Sequence, residues 1–191
     1  MRKWIGGIFV FLGLVCLIGA IALIAYNQWE ARRAEVLSDS LVKDAYTAIA
    51  EKNAVQNDSV TMPTIELDGE ECIGILSIPA LDLELPVLTD WSYKKLKKAP
   101  CHYYGTYYEK DFVIAAHNFK SHFGRLSELR QGDAIFFTDA NGEVHYYEVS
   151  LLETLPKNAT KDMITSGFDL SLYTCTTGGG SRITVRCSLA K

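Results

Sequence analysis

Cys175, a run of three glycines and Arg182 stand close together in SLYTCTTGGGSRITVRC, residues 171–187. That grouping could do thiol chemistry. A cysteine attacks as the thiolate, and a neighbouring cation stabilises that form. An arginine can also donate to the oxyanion that develops when sulfur adds to a carbonyl. An acid or base completes such a set, and histidine is the usual choice. The chain has four histidines: His102, His117, His122 and His145. His117 closes the apolar run FVIAA, at a strand end where a loop begins, and rigid edges of this kind often present functional groups. His145 sits in an alternating hairpin and reads as a surface or cross-strand residue, while His102 and His122 lie in loops with either role open. On these residues alone, Cys175 as nucleophile competes with Cys175 as a structural thiol.

Strand alternation arranges the pieces. In residues 170–175, Leu170, Leu172 and Thr174 face one way, and Ser171, Tyr173 and Cys175 the other. In the final run, Ile183, Val185, Cys187 and Leu189 form an apolar set, and Arg182, Thr184, Arg186 and Ser188 a polar one. Antiparallel pairing around TTGGGS would bring Cys175 and Arg182 together at the mouth of a hairpin.

The elements that must position them come next. Residues 4–26 carry no charge over 23 positions, enough for a helix to cross a hydrocarbon core of roughly 30 Å. Arg2 and Lys3 precede it, which favours a cytoplasmic N-terminus. A cleaved signal peptide is the alternative, with Gly19, Ala20 and Ala22 as small residues near a cleavage site. Residues 28–53 place Val36, Leu37, Leu41, Ala45, Ala48 and Ile49 at helical intervals and read as a juxtamembrane stalk. Residues 54–70 read as a polar linker with Pro63 and Gly69.

From Cys72 onward the chain reads as β. CIGILSIPALDLELPVL holds two apolar runs broken at Pro79, DFVIAAH is a buried-looking strand, and residues 133–155 form a hairpin turned by Asn141-Gly142. Short helical pieces fit DWSYKKLKKAP, FGRLSELR and the stretch after Pro156. Many short strands predict a barrel or sandwich. Beyond the apolar segment the chain carries 17 basic and 23 acidic side chains, a net charge of −6, which excludes the basic footprint of nucleic-acid binding. Of the five cysteines, Cys72, Cys101, Cys175 and Cys187 lie outside that segment; no CxxC or zinc spacing occurs, and two disulfides are conceivable.

The residues also carry a family likeness. SLYTC with SRITVRC resembles the TLxTC…R signature of sortases, VIAAHN resembles the strand bearing their histidine, and GILSIPALDLELPVL their opening strands. The resemblance implies a mainly β fold, an eight-stranded sortase-like barrel with short helices, behind a transmembrane helix and helical stalk. It divides the chain into an anchor (1–27), stalk and linker (28–71) and catalytic barrel (72–191). It further implies a cysteine transpeptidase that cuts an LPxTG-like C-terminal sorting signal of a surface protein or pilin. The acyl group would pass to an amine of a cell-wall precursor or pilin, on the outer side of the membrane. Cys175 would be the nucleophile, His117 the acid/base, Arg182 the oxyanion and substrate ligand, and Thr174 a substrate-binding residue. Arg182 is preferred to Arg186, which then reads as a surface or supporting residue. Ser171 and Ala116 depart from the usual Thr and Gly, and no acidic-aromatic plug of the pilus-polymerising kind is evident in residues 54–71, so the subclass stays open. No cofactor is expected; calcium is left undecided, with Glu109, Asp111, Asp139 and Glu143 as its candidate acids.

Overall fold

In the computed structural model, residues 2–52 and 62–190 are described. Residues 53–61, which hold just under half of the expected linker and of the stretch searched for a plug, lie outside them. The chain divides into two units, residues 1–33 and 34–191. The first is purely helical, part of α1 (Arg2–Lys52). Its residues 11–29 are exposed and include Phe11, Leu14, Ile18 and Ile24. Among the described residues this is the one helix long and apolar enough to cross a membrane.

In the second unit, Ala34, Ser38, Leu41, Ala45 and Ile49 of α1 are buried, a single stripe at spacings of three and four. The expected stripe shares Leu41, Ala45 and Ile49, with Ala48 partly buried, but Val36 and Leu37 are exposed at 70% and 37%. Apolar spacing alone does not determine where a helix face meets its partner; the packing does. Leu41, Ala45 and Ile49 share a core with Ile65 and Leu67 of β1 (Ile65–Leu67) and with Cys72, Ile75, Leu88 and Cys101. Burying Leu41 and Ile49 stabilises that contact by about 1.5–3 kcal/mol each. The segment read as linker therefore contributes a strand, with Ile65 opposite Cys72 and Leu67 opposite Glu70.

The remaining strands are β2 (Glu70–Ile78), β3 (Leu83–Leu88), β4 (Cys101–Tyr104), β5 (Phe112–Ala115), β6 (Ala134–Asp139), β7 (Val144–Pro156), β8 (Leu170–Cys175) and β9 (Ser181–Leu189). Two short helices interrupt them, α2 (Tyr93–Leu96) and α3 (Thr160–Ile164). The spatial order is β1-β2-β3-β4-β5-β8-β9-β7-β6, and β2 pairs again with β6. That second pairing closes β2–β9 into an eight-stranded barrel, with β1 added at β2. Inward residues such as Ile73, Leu85, Phe112, Ile135, Phe137, Leu172 and Val185 fill it. Closure depends on Gly74, which lies opposite Asp139 with φ +155°. A Cβ there would run into the Thr138 carbonyl and sit 2.9 Å from Asp139 Cα. Gly74→Ala is expected to cost about 2–3 kcal/mol, read as a lowered urea midpoint; an unchanged midpoint would contradict this account of closure.

Two carboxylates brace the strands behind the site. Asp111, at φ +65°, accepts from the Ser166 amide at 2.7 Å, the Ser166 hydroxyl at 2.9 Å and the Gly167 amide at 2.8 Å. Asp169 Oδ2 accepts from the Leu189 amide at 2.8 Å. Both sit where β8 begins, so its register against β5 and β9 is held before the chain reaches Cys175.

Candidate active site

Cys175 ends β8 directly opposite Arg182, the second residue of β9. The link between them folds back sharply: the Thr176 amide donates to Ser181 O at 3.0 Å and the Gly179 amide to Thr176 O at 2.8 Å. Gly178 and Gly179 take φ of +86° and +74°, which residues with a Cβ adopt only with strain. The Arg182 guanidinium donates to the carbonyls of Gly179 (3.2 Å) and Ser181 (3.1 Å) and is held over this turn.

His117 arrives from the other side of β8. β5 runs parallel to β8 with Ala115 opposite Tyr173. The Ala116 amide donates to Tyr173 O at 3.2 Å, extending the ladder one residue towards His117. Beyond it, the Phe123 amide donates back to His117 O at 3.1 Å, and the Phe119 ring lies 5.0 Å from the imidazole. Cys175, His117 and Arg182 all line one open cleft of about 160 Å³. Trp91, Tyr103 and Tyr173 form one side in a chain of ring contacts at 5.7 and 5.3 Å. Lys157, from the β7–α3 connection, and Thr160 and Met163, from α3, line it too.

Thr174, for which the resemblance implies a substrate contact, is placed differently. It is 1% exposed, and its hydroxyl donates to the Ala116 carbonyl at 2.9 Å. The alternation that brings Cys175 to the cleft turns its predecessor inward, so Thr174 ties β8 to the residue before His117. Of the two places expected for Arg186, surface or supporting, the structure gives it the supporting one. It is 1% exposed, pairs with Glu153 at 2.7 Å, and donates to the Ser171 hydroxyl (2.8 Å) and to the carbonyls of Asp162 (2.7 Å) and Met163 (3.2 Å). It fastens α3, and with it that side of the cleft, to the barrel. Leu189, grouped with the apolar set, is 53% exposed at the end of β9.

The other histidines lie apart from the cleft lining. His102 is held by the Thr89 and Gly105 carbonyls at 3.0 and 2.7 Å. His145 is mostly buried beside Asp139, 3.7 Å away, and against the Tyr107 ring. His122 is fully buried. Of the acids weighed for calcium, Asp139 is committed to Tyr107 and to the Asn141 and Glu143 amides, Asp111 to residues 166–167, and Glu109 is exposed. Asp139, Glu143 and His145 bring ligand atoms within 4.8 Å of one another, the one such grouping among the described residues.

The five cysteines are free thiols. Outside the apolar helix, Cys72, Cys101 and Cys187 are buried and only Cys175 is partly exposed. Burial pushes the Cys72 thiol up to about 11 and the Cys101 thiol to about 12, and drives Cys187 upward as well. At pH 7.5 fewer than about one in a thousand of these would be thiolate. Iodoacetamide is therefore expected to label Cys175 in the native barrel and the other three only after unfolding, as peptide mapping would read. Early labelling of Cys72 or Cys101 would contradict their burial.

A closed barrel that presents a thiol, an imidazole and a guanidinium in one groove has the layout of a cysteine acyl-transfer enzyme. Residues 76–190 match the sortase-domain family model, and the chain belongs to the sortase family. It is 29% identical over 110 residues to sortase A of Bacillus anthracis, an alignment covering 53% of this chain and 50% of that protein. The chain thus spans about half the length of that curated relative. In fold it is similar to the sortase D5 transpeptidase of Clostridium perfringens (TM-score 0.62, 19% identity, 80% of this chain and 99% of that one). It is similar also to sortase A of Corynebacterium diphtheriae (0.58, 20%, 86% and 96%) and sortase C of Streptococcus pneumoniae (0.56, 21%, 86% and 95%).

Proposed function

We propose that the protein is a membrane-anchored cysteine transpeptidase. Residues 1–27 serve as anchor, 28–71 as stalk and linker, and 72–191 as catalytic barrel, with the N-terminus cytoplasmic and the barrel outside. The observation that carries this reading is the convergence of Cys175, His117 and Arg182 on one cleft while the other barrel thiols are buried. The Cys175 thiolate adds to the scissile carbonyl of a sorting signal of the LPxTG kind, and Arg182 donates to the oxyanion. His117 protonates the leaving amine, and the acyl group remains as a thioester. An incoming amine gives its proton to His117, attacks the thioester and restores the thiol. No cofactor or metal enters this reaction. The substrates are surface proteins or pilins; the pneumococcal neighbour is described with pilin substrate specificity. The acceptor is an amine of a cell-wall precursor or a pilin.

The apolar helix serves the chemistry. Substrates and lipid-borne acceptors held in the same membrane meet the enzyme at raised effective concentration without any new contact.

The test is intact mass spectrometry of the full chain in detergent, incubated with LPxTG-like peptides. The expected result is a mass gain equal to the acyl half of one peptide, discharged onto an added amine in preference to water. Discharge to water alone would make the enzyme a hydrolase; no adduct on a free Cys175 thiol would leave a silent peptide-binding barrel.

A further inference from the structure

His145 and Asp139 face each other across an uncommon gap. His145 Nε2 is buried and has no hydrogen-bond partner among the described residues, and it stands 3.7 Å from Asp139 Oδ2. A direct charge-assisted hydrogen bond would close that gap to about 2.7–2.9 Å. Both groups are held where they are. Asp139 is 1% exposed; its Oδ1 accepts from the Asn141 and Glu143 amides at 2.9 Å each, and its Oδ2 from the Tyr107 hydroxyl at 3.0 Å. The imidazole packs against the Tyr107 ring at 4.6 Å and the Phe137 ring at 6.2 Å. Glu143, exposed just before β7, adds a second carboxylate. One donor atom each from Asp139, Glu143 and His145 lies within 4.8 Å of the other two.

We propose that Asp139, Glu143 and His145 bind one divalent cation of the zinc class, in a structural site outside the cleft. Zinc holds nitrogen and oxygen ligands at about 2.0–2.2 Å, so two of its ligands stand about 3–4 Å apart. The 3.7 Å pair already has that spacing, and the exposed Glu143 side chain closes the remaining distance by a rotamer change. The supporting bonds are in place as well. Metal-bound carboxylates are themselves hydrogen-bonded as a rule, and Asp139 has three such donors in the Tyr107 hydroxyl and the two amides. The imidazole selects against calcium, which takes about six to eight oxygen ligands. None of these residues lines the cleft, so the ion takes no part in acyl transfer. Its task is mechanical. Asp139 lies opposite Gly74 where β6 closes on β2, Tyr107 comes from the β4–β5 connection and His145 from β7. An ion here ties the β6–β7 hairpin to the seam that closes the barrel, and its binding free energy adds to the stability of the fold.

The experiment titrates Zn²⁺ into the full-length Cys175→Ala protein in detergent with ring-¹⁵N histidine. That background removes the partly exposed barrel thiol as a competing ligand. One equivalent is expected to saturate the His145 ring signals while those of His102 and His122 stay in place. At a hundredfold excess over Kd the thermal midpoint rises by about 5–10 °C. Ca²⁺ at the same concentration moves neither. Glu143→Ala, at an exposed position, keeps the fold and weakens zinc binding at least about tenfold; His145→Phe, which keeps a ring between Tyr107 and Phe137, abolishes it. Should His145→Phe not fold, Glu143→Ala decides. His145 signals that stay flat, shifts confined to His117, or zinc affinity unchanged in Glu143→Ala each overturn the proposal. Equal displacement of zinc by calcium overturns the choice of cation.

Discussion

The Cys175→Ala variant is expected to fold as the wild type does and to form no thioester with any sorting peptide. The expected loss of turnover is at least about a thousandfold, because the covalent step disappears with the sulfur. Stability should hardly move. Cys175 is partly exposed at the end of β8, and its removal leaves no cavity in a core built from Leu170, Leu172 and Val185. Mass spectrometry reads the adduct and urea denaturation reads the fold. A variant that still takes up the acyl group would transfer the nucleophile to another residue and end the present assignment. Of the other barrel cysteines, Cys72, Cys101 and Cys187 are buried, and none reaches the cleft lining.

Arg186→Ala is expected to have the opposite profile, with a large loss of stability. Its guanidinium is 1% exposed and bonded to Glu153, Ser171, Met163 and Asp162. Truncation strands the Ser171 hydroxyl and leaves Glu153, itself 31% exposed, without its partner. Removing one member of such a buried pair costs about 3–5 kcal/mol. The β7–β8 connection is released with it, so any activity that survives should show weakened peptide binding. Arg182→Ala should leave the urea midpoint near wild type and slow thioester formation by about a hundredfold or more. Equal stability of Arg186→Ala and wild type would refute the anchoring role, and equal stability losses in the two arginine variants would refute the division between them.

That division marks the limit of what was legible in the sequence. Alternation read the two faces of β8 correctly, and pairing across TTGGGS follows from it, so the Cys175–Arg182 opposition could be anticipated. The 134–156 hairpin and the doubly buried β5 were equally plain, because period-two patterns and Asn-Gly turns are local signals. Arg186 shares the polar set of β9 with Arg182, and nothing local separates them. Its burial arises because α3 crosses over it, a contact made by a segment more than twenty residues away. β1, three residues long, was too short for any period to show. Thr174 was misjudged for the same reason: the group that defines it, the Ala116 carbonyl 58 residues away, comes from the end of β5, which sequence spacing does not bring to β8.

The parallel pairing of β5 with β8 has a consequence for the life of the chain before it is mature. His117 and Cys175 come from strands joined only through β6, β7 and α3, and non-local pairings of this kind form late in folding. Until that pairing forms, Cys175 lies apart from His117. The convergence of Cys175, His117 and Arg182 on one cleft therefore exists only in the completed barrel, and a half-folded chain holds the three apart.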